Sequence, residues 1–402
     1  MRSVRRPAAR GVEMWGGLRR LLRPLWGYCV LALAVLTAVL SISPAFAQNY
    51  RNRWIPEKPG YGGLLERANS NNITIVSGGL DSTDLSIASD LAVVLDDGDD
   101  FRVIPVIGRG GGQSIRDVRF LKGVDLGITQ TNILNAYRRA NDFGALDGRI
   151  VYIAKLYNEE MHLLVRARSG VTSVDQLGGK KVSFGEINSG TQLTARDIFG
   201  RLGIKPDEVN LSQADALERL KSGEIAAAVL IGGKPSAAIA KLKGDDGLRL
   251  LPVPFAKQLH DDYLPAVLSE IDYPGMVQSG DGVSTIAVGA VLIAYNWPKG
   301  SEPYRRLESF VGRFFQNFSA FLEKPRHPKW REVNLAAVLP GWARFATAEE
   351  WVARNREMAS SRTQFEQFLQ SQPGQSAKMD SAEGRERLFS EFIKWSQARE
   401  RR

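Results

Sequence analysis

Residues 186–192 read EINSGTQ and set Asn188, Ser189, Gly190, Thr191 and Gln192 between an apolar strand and a helix. A structural turn needs one glycine; this one adds hydroxyls, amides and a helix start. At a helix N-terminus the first-turn N–H groups are free and the dipole favours negative charge, so an anion binds without a dedicated cation. Gly190 allows close approach to the backbone, Ser189 and Thr191 add hydroxyls, and Asn188 or Gln192 reads a second polar group. An ordinary N-cap explains this turn equally well when it is taken alone. Four further strand ends repeat the chemistry: Ser77, Gly78 and Gly79; Gly110, Gly111, Gly112, Gln113 and Ser114; Gln130, Thr131 and Asn132; Gly232, Gly233 and Lys234. Their number predicts a shared cleft. Arg109 and Lys234 read as solvated loop charges, or as clamps for a carboxylate or phosphate, Arg109 by a bidentate fork.

Enzymatic alternatives find little support. IGRGGGQ imitates a dinucleotide fingerprint, but Gln113 stands where the third glycine is needed for close helix–strand packing. There is no Gly-Lys-Ser/Thr phosphate loop and no Gly-x-Ser-x-Gly elbow. His162, His260 and His327 have no second histidine at metal spacing. Glu159, Glu160 and His162 form a cluster that a strand would split between faces. Glu186 is a candidate base without a visible partner. No catalytic residue, metal or cofactor is assigned, and a hydrolase stays open only as a matter for turnover assays.

The elements that must position these turns alternate. ITIVSGG is a strand, STDLSIASDLAVVLDD a capped helix, FRVIPVIG a second strand and GGQSIRDVRFLKG a helix behind a glycine turn. VDLGITQ then leads into TNILNAYRRA. Strand and helix alternating every 25 to 30 residues predict an α/β lobe with a mostly parallel sheet. RIVYIAKLY and MHLLVRA, read as two strands, restart the pattern, and VSTIAVGAVLIAYN (283–296) is long enough to return to the first lobe. The expected body has two lobes joined by strand-like hinges: lobe 1 over 73–155, completed by 285–345, and lobe 2 over 156–284. EPYRRLESFVGRFFQNFSAFLE carries an apolar stripe at helical period, read as core packing rather than a docking face. Residues 346–402 are expected to form a helical C-terminal extension.

The N-terminus has a different character. Seven arginines precede the apolar run YCVLALAVLTAVLSIS and then SPAFAQ, where Ala45 and Ala47 fit a small-x-small cleavage site. Residues 1–47 are expected to be a signal peptide cut after Ala47, placing the protein in the periplasm; an uncleaved membrane anchor is the alternative. Residues 48–72 read as a flexible tether. Much of the net charge of +9 sits in the leader, so the rest lacks the basic face that nucleic acid requires. The single cysteine, Cys29, also lies in the leader, which excludes disulfides and cysteine–zinc sites from a mature chain.

Residues 73 to about 345 resemble the TAXI-type solute-binding subunit of TRAP transporters. SGG is similar to that family's opening T-G-G, and GGGQSIRDVRFLKGVDLGITQTN to its G-G-S…A-D-L-G-x-x-Q-S-D block. GKKVSFGEINSGTQ, GEIAAAVLIGGKPSAAI and RHPKW follow in the family's order. The resemblance implies an α/β, two-lobed periplasmic binding protein (type II-like). Such a protein closes an interlobe cleft on a small organic anion, carboxylate or amino-acid-like, and delivers it to TRAP-type membrane permease subunits. The residues expected at the ligand are those named above at strand ends apart from Gly110, Asn132 and Gly232, led by Ser77, Gly79, Gln113, Gln130, Ser189, Gly190 and Thr191. One departure stands out: where the family has G-x-Y-Y-P, this chain has LDSTDLS, with Asp81 and Asp84. An acid there repels a dicarboxylate or binds a cationic group. The altered loop and the extra tail also leave room for an envelope adaptor that docks a partner through its C-terminal helices.

Overall fold

The computed structural model describes residues 61–98 and 100–356. The expected leader, its cleavage site, the first part of the tether and most of the C-terminal extension lie outside the described residues. Within the supposed tether, Tyr61–Ser70 is a helix, α1, and the first strand starts at Asn72. Gly62 and Gly63 read as breakers, but they fall in the first turn, and Leu64, Leu65, Glu66, Arg67 and Ala68 are strong helix formers.

Among the described residues, ten strands form one sheet: β1 Asn72–Val76, β2 Arg102–Val106, β3 Leu126–Gln130, β4 Ile150–Arg166, β5 Lys181–Ser183, β6 Asp207–Val209, β7 Ala227–Gly232, β8 Leu248–Leu250, β9 Leu264–Ser269 and β10 Gly282–Tyr295. The path is β2-β1-β3-β10-β4-β7-β5-β6, with β8 paired to β4 and β9 to β10. Two short parallel groups, β2-β1-β3 and β7-β5-β6, are joined by the long strands β4 and β10. β10 pairs with β9 through Ala287 and with β3 from Ala290, and its ladder with β4 shifts register between Gly289 and Val291. β4 pairs with β10 through Glu160 and with β7 from Glu160 onwards. Both strands therefore change neighbours near Asn158–Glu160 and Ala287–Gly289.

The crossing also divides the core. Val151 to Tyr157 and Ala290 to Ala294 pack with β1, β3 and helix α8 (Glu302–Gln316), whereas Met161 to Val165, Ile286 and Val288 pack with β5 and β7. β4 is one continuous 17-residue strand rather than the expected two. The polar run Asn158–Glu159–Glu160 suggested a break, but both carboxyls are buried and partnered from distant segments, so the strand runs through. The stripe of α8 is core: Leu307, Phe310, Val311, Phe314 and Phe315 are buried, and Phe314 packs edge-on against Trp330. This is the expected two-lobed α/β architecture. Residues 346–356 are helical.

Candidate functional site

Four helices begin on one cavity of about 590 Å³. Two belong to the first half, α2 (Thr83–Leu95) and α3 (Gly111–Phe120). Two belong to the second, α5 (Gly190–Arg201) and α6 (Gln213–Ser222), while α4 (Thr131–Ala140) starts behind the wall that Gln130 forms. Each serine cap consumes one amide: Ser82 accepts from Leu85, Ser189 from Gln192, and Ser212 from Asp215. Among the described residues, no acceptor meets the amides of Thr83, Asp84, Thr191, Gln213 or Ala214, all of which line the cavity. Unfilled first-turn donors on both sides are what an anionic group requires.

Of the expected site residues, Gly78, Gly79, Gln113, Gln130, Ser189, Gly190 and Thr191 line this cavity. The halves touch beside it. Gly190 donates its amide to the Arg109 carbonyl at 3.2 Å, so that donor is already taken. A Cβ on Gly111 would lie 2.9 Å from the Gly190 Cα. Only glycines allow the α3 and α5 tips to meet so closely.

The other expected residues serve the scaffold. The Ser77 amide and hydroxyl both donate to the Val106 carbonyl, stitching the ends of β1 and β2 behind the cavity. Ser114 is buried in the body of α3, and Thr131 packs under Gly289. Gly112 and Asn188 line a separate hollow beside Arg116 and Tyr137. Gln192 accepts from the Asn188 amide and donates to Glu208, closing the 186–192 turn from within. Gly233 exchanges hydrogen bonds with Thr83 under Lys329, and Lys234 donates to the Val267 carbonyl and Asp272. The Lys234 clamp is thereby corrected: its charge is spent holding β9. Gln113 is also committed, accepting from the Arg109 amide and donating to Asp117.

The structure adds residues that strand-end reasoning did not put at the ligand. Asp84, noted above as a departure, and Glu159, grouped with His162 as part of a strand, both line the cavity and are nearly fully buried. The Tyr157 hydroxyl donates to Asp84 Oδ1 at 2.6 Å, and Gln130 Nε2 donates to Glu159 Oε2 at 2.6 Å. Burial lifts the Asp84 carboxyl above its ordinary range against the pull of Tyr157. Burial, then the neighbouring Asp84, pushes Glu159 well above its own. Glu160 faces the other way, onto the buried Lys329 Nζ at 2.6 Å and the Lys234 amide at 2.9 Å. His162 contacts the Tyr273 hydroxyl at 2.6 Å, and burial pushes it down to about 4, so it is neutral near pH 7. Residues 81 and 84 carried the only sequence signal for this acidic pair, because Glu159 reaches Asp84 through tertiary folding alone.

The sequence matches the NMT1-like family over residues 84–299. Among solved structures it is similar to a periplasmic transporter at 15% identity, covering 72% of this chain and 94% of that one with a TM-score of 0.43. It is similar to the alkanesulfonate-binding protein SsuA from Xanthomonas axonopodis pv. citri bound to MOPS at 15% identity, covering 74% and 93%, TM-score 0.39. A TctC solute-binding protein from Polaromonas gives 17% identity, 65% and 87% coverage and a TM-score of 0.38. With the family match spanning more than half of its length, the chain belongs to the NMT1-like family.

Proposed function

We propose that this is an exported, periplasmic solute-binding protein. It captures a small organic molecule with an anionic group, carboxylate or amino-acid-like, and delivers it to membrane permease subunits of the TRAP type. The halves act as lobes 73–155 (with 285–345) and 156–284, closing on the solute between them. The observation that carries this reading is the set of unfilled amides at three helix tips, drawn from both sides of one cavity. Arg109 adds a cation to the cavity lining. Binding is the role we assign to the cavity: His162 is neutral and held by Tyr273, and the Ser212 hydroxyl, which donates to Asp215, also caps its own helix. Closure follows if the solute contacts both lobes, since a ligand that binds open and closed forms equally shifts nothing.

Thermal-shift and calorimetric screening against carboxylates, amino acids and phosphorylated metabolites tests the proposal. A saturable hit weakened by Thr191→Ala is expected. Silence across the library, together with capture of a partner that depends on residues 357–402, would favour the envelope adaptor.

A further inference from the structure

The buried end of the cavity has chemistry that an anion does not explain. Asp84 and Glu159 face each other within hydrogen-bonding reach, one from the first turn of α2 and one from the segment where β4 changes neighbours. Ionised carboxylates only accept hydrogen bonds, so two of them make this contact by holding a proton between them. Tyr157 and Gln130 Nε2 each fill one oxygen of the pair. Asp84 Oδ2 faces the glycine wall, where a Cβ on Gly78 or Gly110 would lie 3.6 Å from it. Gln130 is 4% exposed, yet its Oε1 meets no donor among the described residues.

Among the described residues, no cation answers these acceptors. The Lys329 ammonium is spent on Glu160 and Glu332, and Arg109 is exposed and turned to the Ile187 carbonyl. His162 is neutral, Tyr157 is a donor already used, and Asp81 and Glu186 add acid at the mouth. A buried acid pair in the cavity wall and an orphaned amide oxygen beside it, packed against Gly190, describe a receptor lacking its positive group.

Resting on the solute-binding reading, we infer that this end of the cavity receives a protonated nitrogen of the solute, an ammonium or guanidinium, held by Asp84, Glu159 and Gln130 Oε1, and that its arrival expels the shared proton. The balance is simple. The empty pair carries one proton and one negative charge; the filled pair carries two negative charges against the solute's one positive charge, and one proton leaves to solvent. The solute would be amphoteric, with its anionic end at the helix tips and its nitrogen at the pair.

The test uses the full chain and probes that differ only at nitrogen: L-alanine against lactate, L-glutamate against 2-hydroxyglutarate, and 4-guanidinobutyrate against butyrate. In at least one pair the nitrogen-bearing member should bind at least tenfold tighter. Calorimetry at pH 7 in phosphate and in Tris should then show close to one proton released per solute. Glu159→Gln copies the proton-retaining state, its amide donating to Asp84 while its oxygen still accepts from Gln130. It should melt within a few degrees of the wild type, bind the nitrogen-bearing probe at least tenfold more weakly and release no proton; Asp84→Asn provides the same test should that variant not fold. If the nitrogen-free members bind equally well or better, or the wild type releases no proton, the inference is overturned and solute capture stands. If no probe of either kind binds and the broader library is also silent, both readings fall.

Discussion

Replacing Gly190 by alanine probes the closure of the two halves. A Cβ at this position would lie 2.5 Å from Gln130 Nε2 and 2.6 Å from its Oε1, where ordinary contact needs at least 3.4 Å. The Gln130 amide must retreat by about 1 Å, which breaks its 2.6 Å bond to Glu159. Overpacking costs about 1–3 kcal/mol and a hydrogen bond to a charged group about 1.5–3 kcal/mol, and the two overlap here because one movement relieves the clash and loses the bond. A penalty of roughly 1.5–3 kcal/mol on the closed form follows, or about ten- to a hundredfold in solute affinity. Separation of the halves removes the clash, so the unliganded protein should lose little stability. Calorimetry with the solute found by screening reads the affinity, and small-angle scattering reads the compaction. Affinity within twofold of wild type and an unchanged scattering profile would refute the contact between Gln130 and Gly190 as a feature of the bound state.

Lys329→Met should destabilise the protein by about 3–5 kcal/mol in urea, because it strands the buried Glu160 carboxylate without its ammonium. Trp330→Ala should cost about 3–5 kcal/mol, since the ring sits at full burial among Phe314, Phe318 and Phe321 and donates to Asp90. His162 has its folded pKa depressed to about 4, so between there and the unfolded value of 6.5 only the unfolded state takes up the proton, and stability falls with falling pH. Between pH 6.5 and 5 the wild type should therefore lose about 1.6 kcal/mol more than His162→Leu, and parallel denaturation curves would contradict this. Asp84 and Glu159 act with the opposite sign. Their raised folded values make the native state hold the extra proton, so their contribution is full below the unfolded carboxylate range and lost as pH rises through the folded values. Glu159→Gln should flatten that decline in unliganded protein, as read by denaturation at pH 5, 6 and 7.

Much of the scaffold was legible because its signals are local. Glycine and serine at strand ends, followed by helical period, locate the starts of α2, α3 and α5, and the unbroken apolar run from Ile286 identifies the strand that returns. The failures share a cause, which is that the use of a polar group is decided by partners far along the chain. Lys234 reads as a free cation until Asp272 is brought to it, and Gln192 reads as a ligand contact until Glu208 is. The Glu159–Glu160 pair reads as the end of a strand until Gln130 and Lys329 satisfy its two faces. The acidic end of the cavity was hidden for the same reason, because 75 residues separate Asp84 from Glu159.

The account depends on helix starts from both halves sharing one solute. A crystal structure of the protein with the molecule selected by screening tests this directly. The expected density lies between the Thr83–Asp84 and Thr191 amides, with the molecule's polar atoms within about 3 Å of both. A molecule bound elsewhere while the cavity holds only water, or one touching a single half, would contradict it.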